Sequence, residues 1–561
     1  MNLIENEWIP VRRRSGKVAR IAPWQLTEGF AEDPFVRLAA PRPDFNGALV
    51  QFLIGLLQTA VPPPNGQVRR AWRRSPPSAE ELRARLESLA RFFDLDGSGA
   101  RFLQESALAP EKKVSEHPIT YLLIDAPTDN TILQNRDHFV KAPGKRGVDV
   151  EQIACCPACA ATALYTMQTF APQGGGGGGG KFTSLRGGGP LSTVLLGDTL
   201  WETVWLNVLE AREFEARKRA PEYSFPWLAP EKFIKAKKGR AVTSEEMAPI
   251  HVYWGMPRRV LLQVESSEFP KTCWICGAES PIYVRKFLDA TLGISYYLGD
   301  GNNKKPSWIH PLHPLSPYDT TKDYPSAAHP PPGGITYRHW LGVIYADGDS
   351  RRQPATSVSR FLSHHDDLRL WAYGYEMVSM NARRWHESVM PILAAPDGLE
   401  ETYGYHTSNV IRAAQHASGA LVLALVRSAY GKAEVDPRGG IKWGVPKRLG
   451  AFRKSGIEDC DDIAARAENA WLEQARLSFW QATEPIFFTI LGQLRGLLQE
   501  GIDAAACLRG WLRAIEDVAT QIYDDLAEAG SVEVVDPRRV ALARQEMRRA
   551  LSGLSKRVGL P

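Results

Sequence analysis

Residues 173–190 read QGGGGGGGKFTSLRGGGP, with seven consecutive glycines directly before Lys181 and a second glycine triplet behind Arg186. No other stretch constrains the fold so narrowly. Without a Cβ, a backbone passes close to another surface and turns successive N–H groups toward it, so such a loop beside Lys and Arg suits a polyanion. A bare glycine run is equally the composition of a flexible tether. The flanks place it inside a folded domain, because CCPAC (Cys155 to Cys159) precedes it and apolar stretches at 194–196 and 203–209 follow.

A phosphate loop of the form G-x-x-x-x-G-K-[ST] is the obvious competitor, and Gly175 to Lys181 satisfies its first seven positions. The eighth position needs a hydroxyl for Mg²⁺ and here is Phe182, with Thr183 one residue late. Residues 160–170 also carry a helical pattern, whereas a buried strand launches a P-loop, so ATP hydrolysis is not expected.

The 561 residues allow a large buried core and more than one domain. A net charge of +5 permits a nucleic-acid partner without requiring one. No apolar run reaches the roughly 18 residues that span a bilayer, and the opening MNLIENEWIPVRRRSGK lacks the apolar core of a secretory signal, so a cytoplasmic protein with no membrane partner is expected. In that reducing compartment seven cysteines, four of them in Cys-x-x-Cys pairs, point to metal ligation over disulfides.

Along the chain, residues 3–18 alternate around Trp8, Ile9 and Pro10 and read as a strand and turn at a sheet edge. Leu49, Phe52, Leu53, Leu56 and Leu57 recur at helical spacing within 45–61, closed by Pro62 to Pro64. Ser78 and Glu81 form a capping-box pattern ahead of a helix over 78–93. Residues 125–150 read as a polar loop, 252–264 as a strand, and 300–334 as a surface excursion rich in Pro, Asn, Gly and His. After Asp397 the pattern becomes helical, at about 408–430, 461–499, 503–528 and 537–554, with Asp536 capping Pro537 and Pro485 expected to kink the second segment. The expected class is therefore α+β: a mixed domain over 1–396 followed by an all-α four-helix bundle over 397–561, whose default role is docking or scaffolding.

Two constellations can carry chemistry. Cys156-Pro-Ala-Cys159 and Cys273-Trp-Ile-Cys276-Gly277 are each half of a zinc knuckle, since a turn between two thiolates brings both sulfurs to one tetrahedral ion. The halves lie far beyond the roughly 12 to 20 residues that separate them in ordinary ribbons, so they meet only through the fold. A site of four cysteines is closed and structural, and it would tie the base of the glycine loop to the 282–288 segment. Ser363-His-His-Asp-Asp367 carries the His-Asp pair of metal-dependent phosphohydrolases, but His310, His313 and His386 supply no frame of further ligands, and a solvated helix start is the plainer reading.

Together these segments resemble the large subunit of the type I-E CRISPR surveillance complex Cascade, the CasA family. The opening NLIENEWIPVR, the Cys-x-x-Cys followed by a glycine run and SLRGGGP, the TVWLNVL block (Thr203 to Leu209) and CxxCGAES (Cys273 to Ser280) stand in that family's order, and the resemblance runs over most of the chain. It implies a non-catalytic subunit that recognises the protospacer-adjacent motif in double-stranded DNA, helps start unwinding, binds the 5′ handle of the guide RNA, contacts the backbone, small and handle-binding subunits, and recruits the helicase-nuclease. By the same resemblance the glycine loop is Gly178, Gly179 and Gly180 beside Lys181, and the zinc ligands are Cys156, Cys159, Cys273 and Cys276. The RNA-handle loop falls at 130–139 with Leu133, Gln134, Asn135 and His138. Where some members place a minor-groove lysine this chain has Thr291, with Arg285 and Lys286 offset nearby. The wedging hairpin falls at 377–381, with Val378 and with Ser379 or Met380 where some members have glutamine. The alternatives are a zinc-stabilised nucleic-acid scaffold of another pathway and the His-Asp phosphohydrolase.

Overall fold

The structure is a computed structural model and describes residues 1–109, 114–124, 153–172, 181–214, 219–234, 241–296, 308–316, 326–347, 352–360, 368–378, 381–435, 441–444, 460, 470–528 and 536–561. By contact density the chain forms two units, one of Met1–Pro330, Asp347–Arg360 and Leu368–Val389, the other built mainly of Pro331–Ala346 and Met390–Pro561.

The first unit opens with a three-stranded antiparallel sheet, β1 (Ile9–Arg13), β2 (Val18–Ile21) and β3 (Phe35–Leu38), in the order β2-β1-β3. The opening strand is therefore central, contrary to the edge position expected of it. Pro10 is tolerated because its carbonyl still accepts from Ala39 N at 2.8 Å, so only the missing donor is lost. Trp8, Ile9 and Val11 face the core.

Helix α1 (Pro43–Ala60) carries the expected stripe, and Leu49, Phe52, Leu53, Leu56 and Leu57 are all buried. It is covered on every side. Its buried Gln58 is accommodated by pairing both amide atoms with the backbone of Leu209, at 3.0 and 2.7 Å. Phe52 sits edge-on to Trp8, Phe93, Phe102, Tyr165 and Trp254, the geometry that aromatic quadrupoles favour. Next come α2 (Gly66–Arg74) and α3 (Ala79–Ala90). The capping box forms as the pattern predicts: Ser78 Oγ accepts from Glu81 N and Glu81 Oε2 from Ser78 N.

Helix α4 (Pro157–Phe170) occupies the place where a phosphate loop needs a strand. Helix α5 (Leu200–Leu206) buries Trp201 and Trp205. A second sheet has the order β4-β7-β6, with β4 at Val114–Pro118, β6 at Arg259–Thr272 and β7 at Glu279–Ala290. The strand expected from 252 thus begins at Arg259; Pro249–Tyr253 is a 3₁₀ turn that sends Tyr253 and Trp254 into the core. A third sheet, β5-β8-β9, joins β5 (Ser192–Leu196) to the hairpin of β8 (Arg369–Val378) and β9 (Asn381–Pro391). The described part of the expected surface excursion is also different. Leu312, His310 and His313 are buried because Thr193 N pairs with Leu312 O at 2.7 Å, which draws this Pro- and His-rich segment against β5.

The C-terminal region is helical: Glu400–Tyr430, Ala470–Gln499, Ala505–Glu528, Pro537–Ser552 and a short Leu554–Val558. The first of these packs against the next three, and Trp511 Nε1 donates to Val410 O at 2.9 Å. It starts eight residues before the expected 408. It is long and apolar enough to cross a membrane, but 83% of its apolar window is buried inside the protein. Asp536 caps Arg538 N and Arg539 N as expected, and the helix that contains Pro485 continues through it. After Gly431 a small antiparallel hairpin pairs Lys432–Val435 with Ile441–Gly444. Tyr337, from 331–346, packs on Trp480, Phe487 and Trp511, so this segment belongs to the helical unit.

Candidate metal centre and nucleic-acid interface

Cys156 is the N-cap of α4 and Pro157 its first residue, so Cys156 and Cys159 share the first turn. The second pair lies in the turn between β6 and β7. There Gly277 N donates to Cys273 O and Cys273 N to Ala278 O, both at 2.8 Å, and Gly277 takes φ +71°, a left-handed conformation natural to glycine. The wide sequence gap closes because Cys155 and Val284 exchange two backbone hydrogen bonds of 2.9 Å and Trp274 N donates to Ala154 O at 2.8 Å.

The four sulfurs of Cys156, Cys159, Cys273 and Cys276 lie within 4.8 Å of one another. Cys156 Sγ and Cys276 Sγ are 3.7 Å apart. A tetrahedron with metal–sulfur bonds of about 2.3 Å has edges of about 3.8 Å, whereas a disulfide requires about 2.05 Å, so the spacing fits a shared ion. The electrostatics agree. Hydrogen bonding to Cys156 and Cys273 together with burial pushes the Cys159 thiol up, while hydrogen bonds from Cys155, Cys156 and Cys159 pull Cys273 far down. Burial and mutual hydrogen bonding oppose ionisation of Cys159, and a cation among the sulfurs would offset that cost. Two neighbours escaped the sequence reading. Cys155 is buried beside Cys273, and Arg20 of β2 donates from Nη2 to Cys276 Sγ at 3.3 Å. No spacing signal links Arg20 to a turn so far along the chain.

Gly178, Gly179 and Gly180 lie outside the described residues, but the stem of their loop is described. Ser184 N donates to Ala171 O at 3.0 Å and Gly189 N to Phe170 O at 3.2 Å, tying the two ends together. Arg186 is buried, with one guanidinium nitrogen on Gln51 Oε1 and the other on Val252 O at 3.3 Å. Lys181 forms an ion pair with the buried carboxylate of Asp289 in β7. Gly189 has φ +69°, and a Cβ there would lie 2.6 Å from Met377 Cγ and 3.2 Å from Tyr375 O, so the stem packs directly on β8.

Arg285 and Lys286 are placed on the same sheet in ion pairs, Arg285 with Glu265 at 2.6 Å and Lys286 with Glu116 at 2.9 Å. Val378 is exposed at the end of β8, and Ser379 and Met380 lie outside the described residues. The root of that hairpin is firm: buried Glu376 holds His386 at 2.8 Å, and Tyr375 Oη donates to Asp44 Oδ2 at 2.5 Å. Leu133, Gln134, Asn135 and His138 of the RNA-handle loop, and the His-Asp segment 363–367, also lie outside the described residues. Burial, then the Arg186 charge, pushes His310 and His313 well below the usual histidine range, and they pack on each other inside the core. Among the described residues the four cysteines are the one group of three or more side chains of metal-ligating type close enough to share an ion.

The sequence profile of the family described as CRISPR-associated protein Cse1 matches residues 2–522. Solved structures share the fold. Cse1 from Acidimicrobium ferrooxidans superposes with a TM-score of 0.68 at 16% identity, covering 100% of this chain and 99% of that one. Thermus thermophilus CasA (Cse1) gives 0.62 at 16% identity over 99% of each chain. A chain of a CRISPR RNA-guided surveillance complex gives 0.63 at 16% identity, over 98% of this chain and 99% of its own. With a profile spanning nearly its whole length and a fold shared from end to end, the chain belongs to the Cse1 (CasA) family, the large subunits of type I-E CRISPR surveillance complexes.

Proposed function

We propose that this protein is the non-catalytic motif reader of its surveillance complex. One observation carries the reading: the stem of the glycine loop is held between β7, through Lys181 and Asp289, and the β8–β9 hairpin, through Gly189 and Met377. Three segments that are distant in sequence thus meet in one unit, and they are the ones assigned to groove reading and strand wedging. In this reading Gly178 to Gly180 lay bare backbone against the minor groove of the protospacer-adjacent motif, where a side chain would obstruct approach, while guide pairing reads the remaining sequence. Arg285 and Lys286 exchange their carboxylate partners for phosphates when DNA docks. Val378, Ser379 and Met380 enter the duplex from the hairpin tip and help to start unwinding.

Leu133, Gln134, Asn135 and His138 meet the 5′ handle of the guide RNA. The four cysteines hold one structural Zn²⁺, because an all-thiolate tetrahedral set closes the ion to substrate. The C-terminal helices form a four-helix bundle that docks on other Cascade subunits, and the assembled surface recruits the helicase-nuclease in the cytoplasm. Nothing in this assignment requires the protein to break a bond.

Gly179→Asp tests the reading, since it adds both bulk and charge against phosphate. In the assembled complex at one fixed salt concentration, affinity for motif-bearing duplex is expected to fall tenfold or more, about 1.4 kcal/mol, with a much smaller loss on single-stranded target. Unchanged duplex affinity would mean that the loop is a tether.

A further inference from the structure

Four thiolates on a divalent ion leave a net charge of −2, and a centre with that surplus holds its ion best where nearby donors take up part of the charge. Three of the four cysteines are buried; Cys276 is the one partly open to solvent. That sulfur is the one Arg20 reaches, with Nη2 at 3.3 Å, and Cys156 and Cys159 also lie within electrostatic reach of the same guanidinium. Arg20 comes from neither knuckle. It stands on β2, paired with Pro10 across the first sheet, next to the buried Ile21 that fixes which face of the strand it uses.

We propose that Arg20 is a positioning residue of the metal centre: it covers the exposed edge of the Cys276 thiolate, removes one of the two surplus charges, and slows loss of the ion. The inference rests on the zinc reading above and adds to it a residue outside both Cys-x-x-Cys pairs. An uncovered thiolate at a zinc site is the first point of attack for an electrophile, because its remaining lone pairs face solvent, and once that sulfur leaves the ion a competing chelator can take its place. A charge-assisted hydrogen bond occupies such a lone pair and lowers sulfur basicity. Lysine in the same place would supply charge without the planar fork, and methionine would supply neither.

The experiment uses the full-length zinc-loaded protein and compares wild type with Arg20→Met and Arg20→Lys. Zinc is withdrawn by excess chelator, Cys276 alkylation by iodoacetamide is followed by mass spectrometry, and sulfur-to-metal charge-transfer absorption is recorded after Co²⁺ substitution. Arg20→Met is expected to lose zinc about tenfold faster, the scale of lost outer-shell contacts, to alkylate faster at Cys276 than at the other ligands, and to shift the Co²⁺ band; Arg20→Lys should fall between. A bystander on the protein surface would move none of these. If wild type holds zinc and Arg20→Met releases it at the same rate with an unchanged Co²⁺ band, the role of Arg20 is overturned. If wild type binds neither Zn²⁺ nor Co²⁺, the metal reading itself fails and takes this inference with it.

Discussion

Gly189 sits where the stem of the glycine loop crosses β8, and Gly189→Ala has a cost that can be worked from two separate contributions. At φ +69° an L-residue pays about 1–2 kcal/mol for the left-handed backbone. The new Cβ would also lie 2.6 and 2.7 Å from Met377 Cγ and Cε and 3.2 Å from Tyr375 O. Met377 can swing away, but the carbonyl belongs to a paired strand, and overpacking of this kind costs about 1–3 kcal/mol. The sum is roughly 2–5 kcal/mol of local stability. Because the chain has two units, native-state hydrogen exchange on β5 and β8 is a cleaner assay than one global midpoint; exchange there should accelerate roughly 30- to 5000-fold. Gly187→Ala provides the control, since φ is +89° but the nearest atom to its Cβ is 3.6 Å away, so only the backbone contribution remains. In a Met377→Ala background the packing contribution of Gly189→Ala should shrink, giving a coupling of about 1–2 kcal/mol. Equal costs for the two glycines, or no coupling to Met377, would refute the close approach.

The purified protein should carry close to one Zn²⁺ per chain, and Cys156→Ser should reduce this to about a tenth or less; elemental analysis decides, and no metal in wild type would sink the centre. Stability should also depend on pH through a buried histidine. Burial holds His251 near a pKa of about 3, against 6.5 for a free ring, with Nδ1 donating to Ser224 O and Nε2 accepting from Tyr296 Oη. The folded ring is neutral, so its contribution is whole above about pH 6.5 and is lost as pH falls toward 3, at up to about 1.4 kcal/mol per pH unit. Unfolding at pH 5 should take up close to one proton less in His251→Gln than in wild type, and equal uptake would refute the assignment.

Features legible in the sequence are those whose cause is local. The Ser78 box, the Asp536 cap and the stripe of α1 each follow from residues within a turn or two of one another, and each forms. The cysteine pairs were legible as halves, and the bonds between Cys155 and Val284 that join them belong to the sheet. The errors have a common physical origin. The opening strand reads as an edge, yet it is central, and even Pro10, which lacks a donor, pairs through its carbonyl with Ala39 N. The 308–316 segment has surface composition, yet its backbone serves β5 and its histidines stay neutral in the core. In both cases a partner distant in sequence satisfies the polar groups that local reasoning assigned to water. Arg20 is the extreme case, since its significance depends entirely on which turn is folded against it.

The same long-range construction would support the glycine run in the reading role proposed for it. Seven glycines surrender more conformational freedom on ordering than any other residues would, so a free run would spend much of its binding energy on immobilisation. Tying Ala171 to Ser184, burying Arg186 and pairing Lys181 with Asp289 give the segment between them a fixed base. That base is the C-terminal end of α4, and the opposite end of α4 is Cys156. One helix of 14 residues, about 21 Å long, therefore links the cysteine cluster to the base of the loop. Loss of the ion should loosen the first turn of α4 and, through the helix, the frame that holds the loop. Cys156→Ser should then weaken motif-dependent duplex binding although the proposed interface includes no cysteine, and the effect should be smaller on single-stranded target, because in the proposed reading guide pairing does not draw on this frame. A Cys156→Ser protein that lacks zinc but binds motif-bearing duplex as wild type does would show that the loop's frame is independent of the metal.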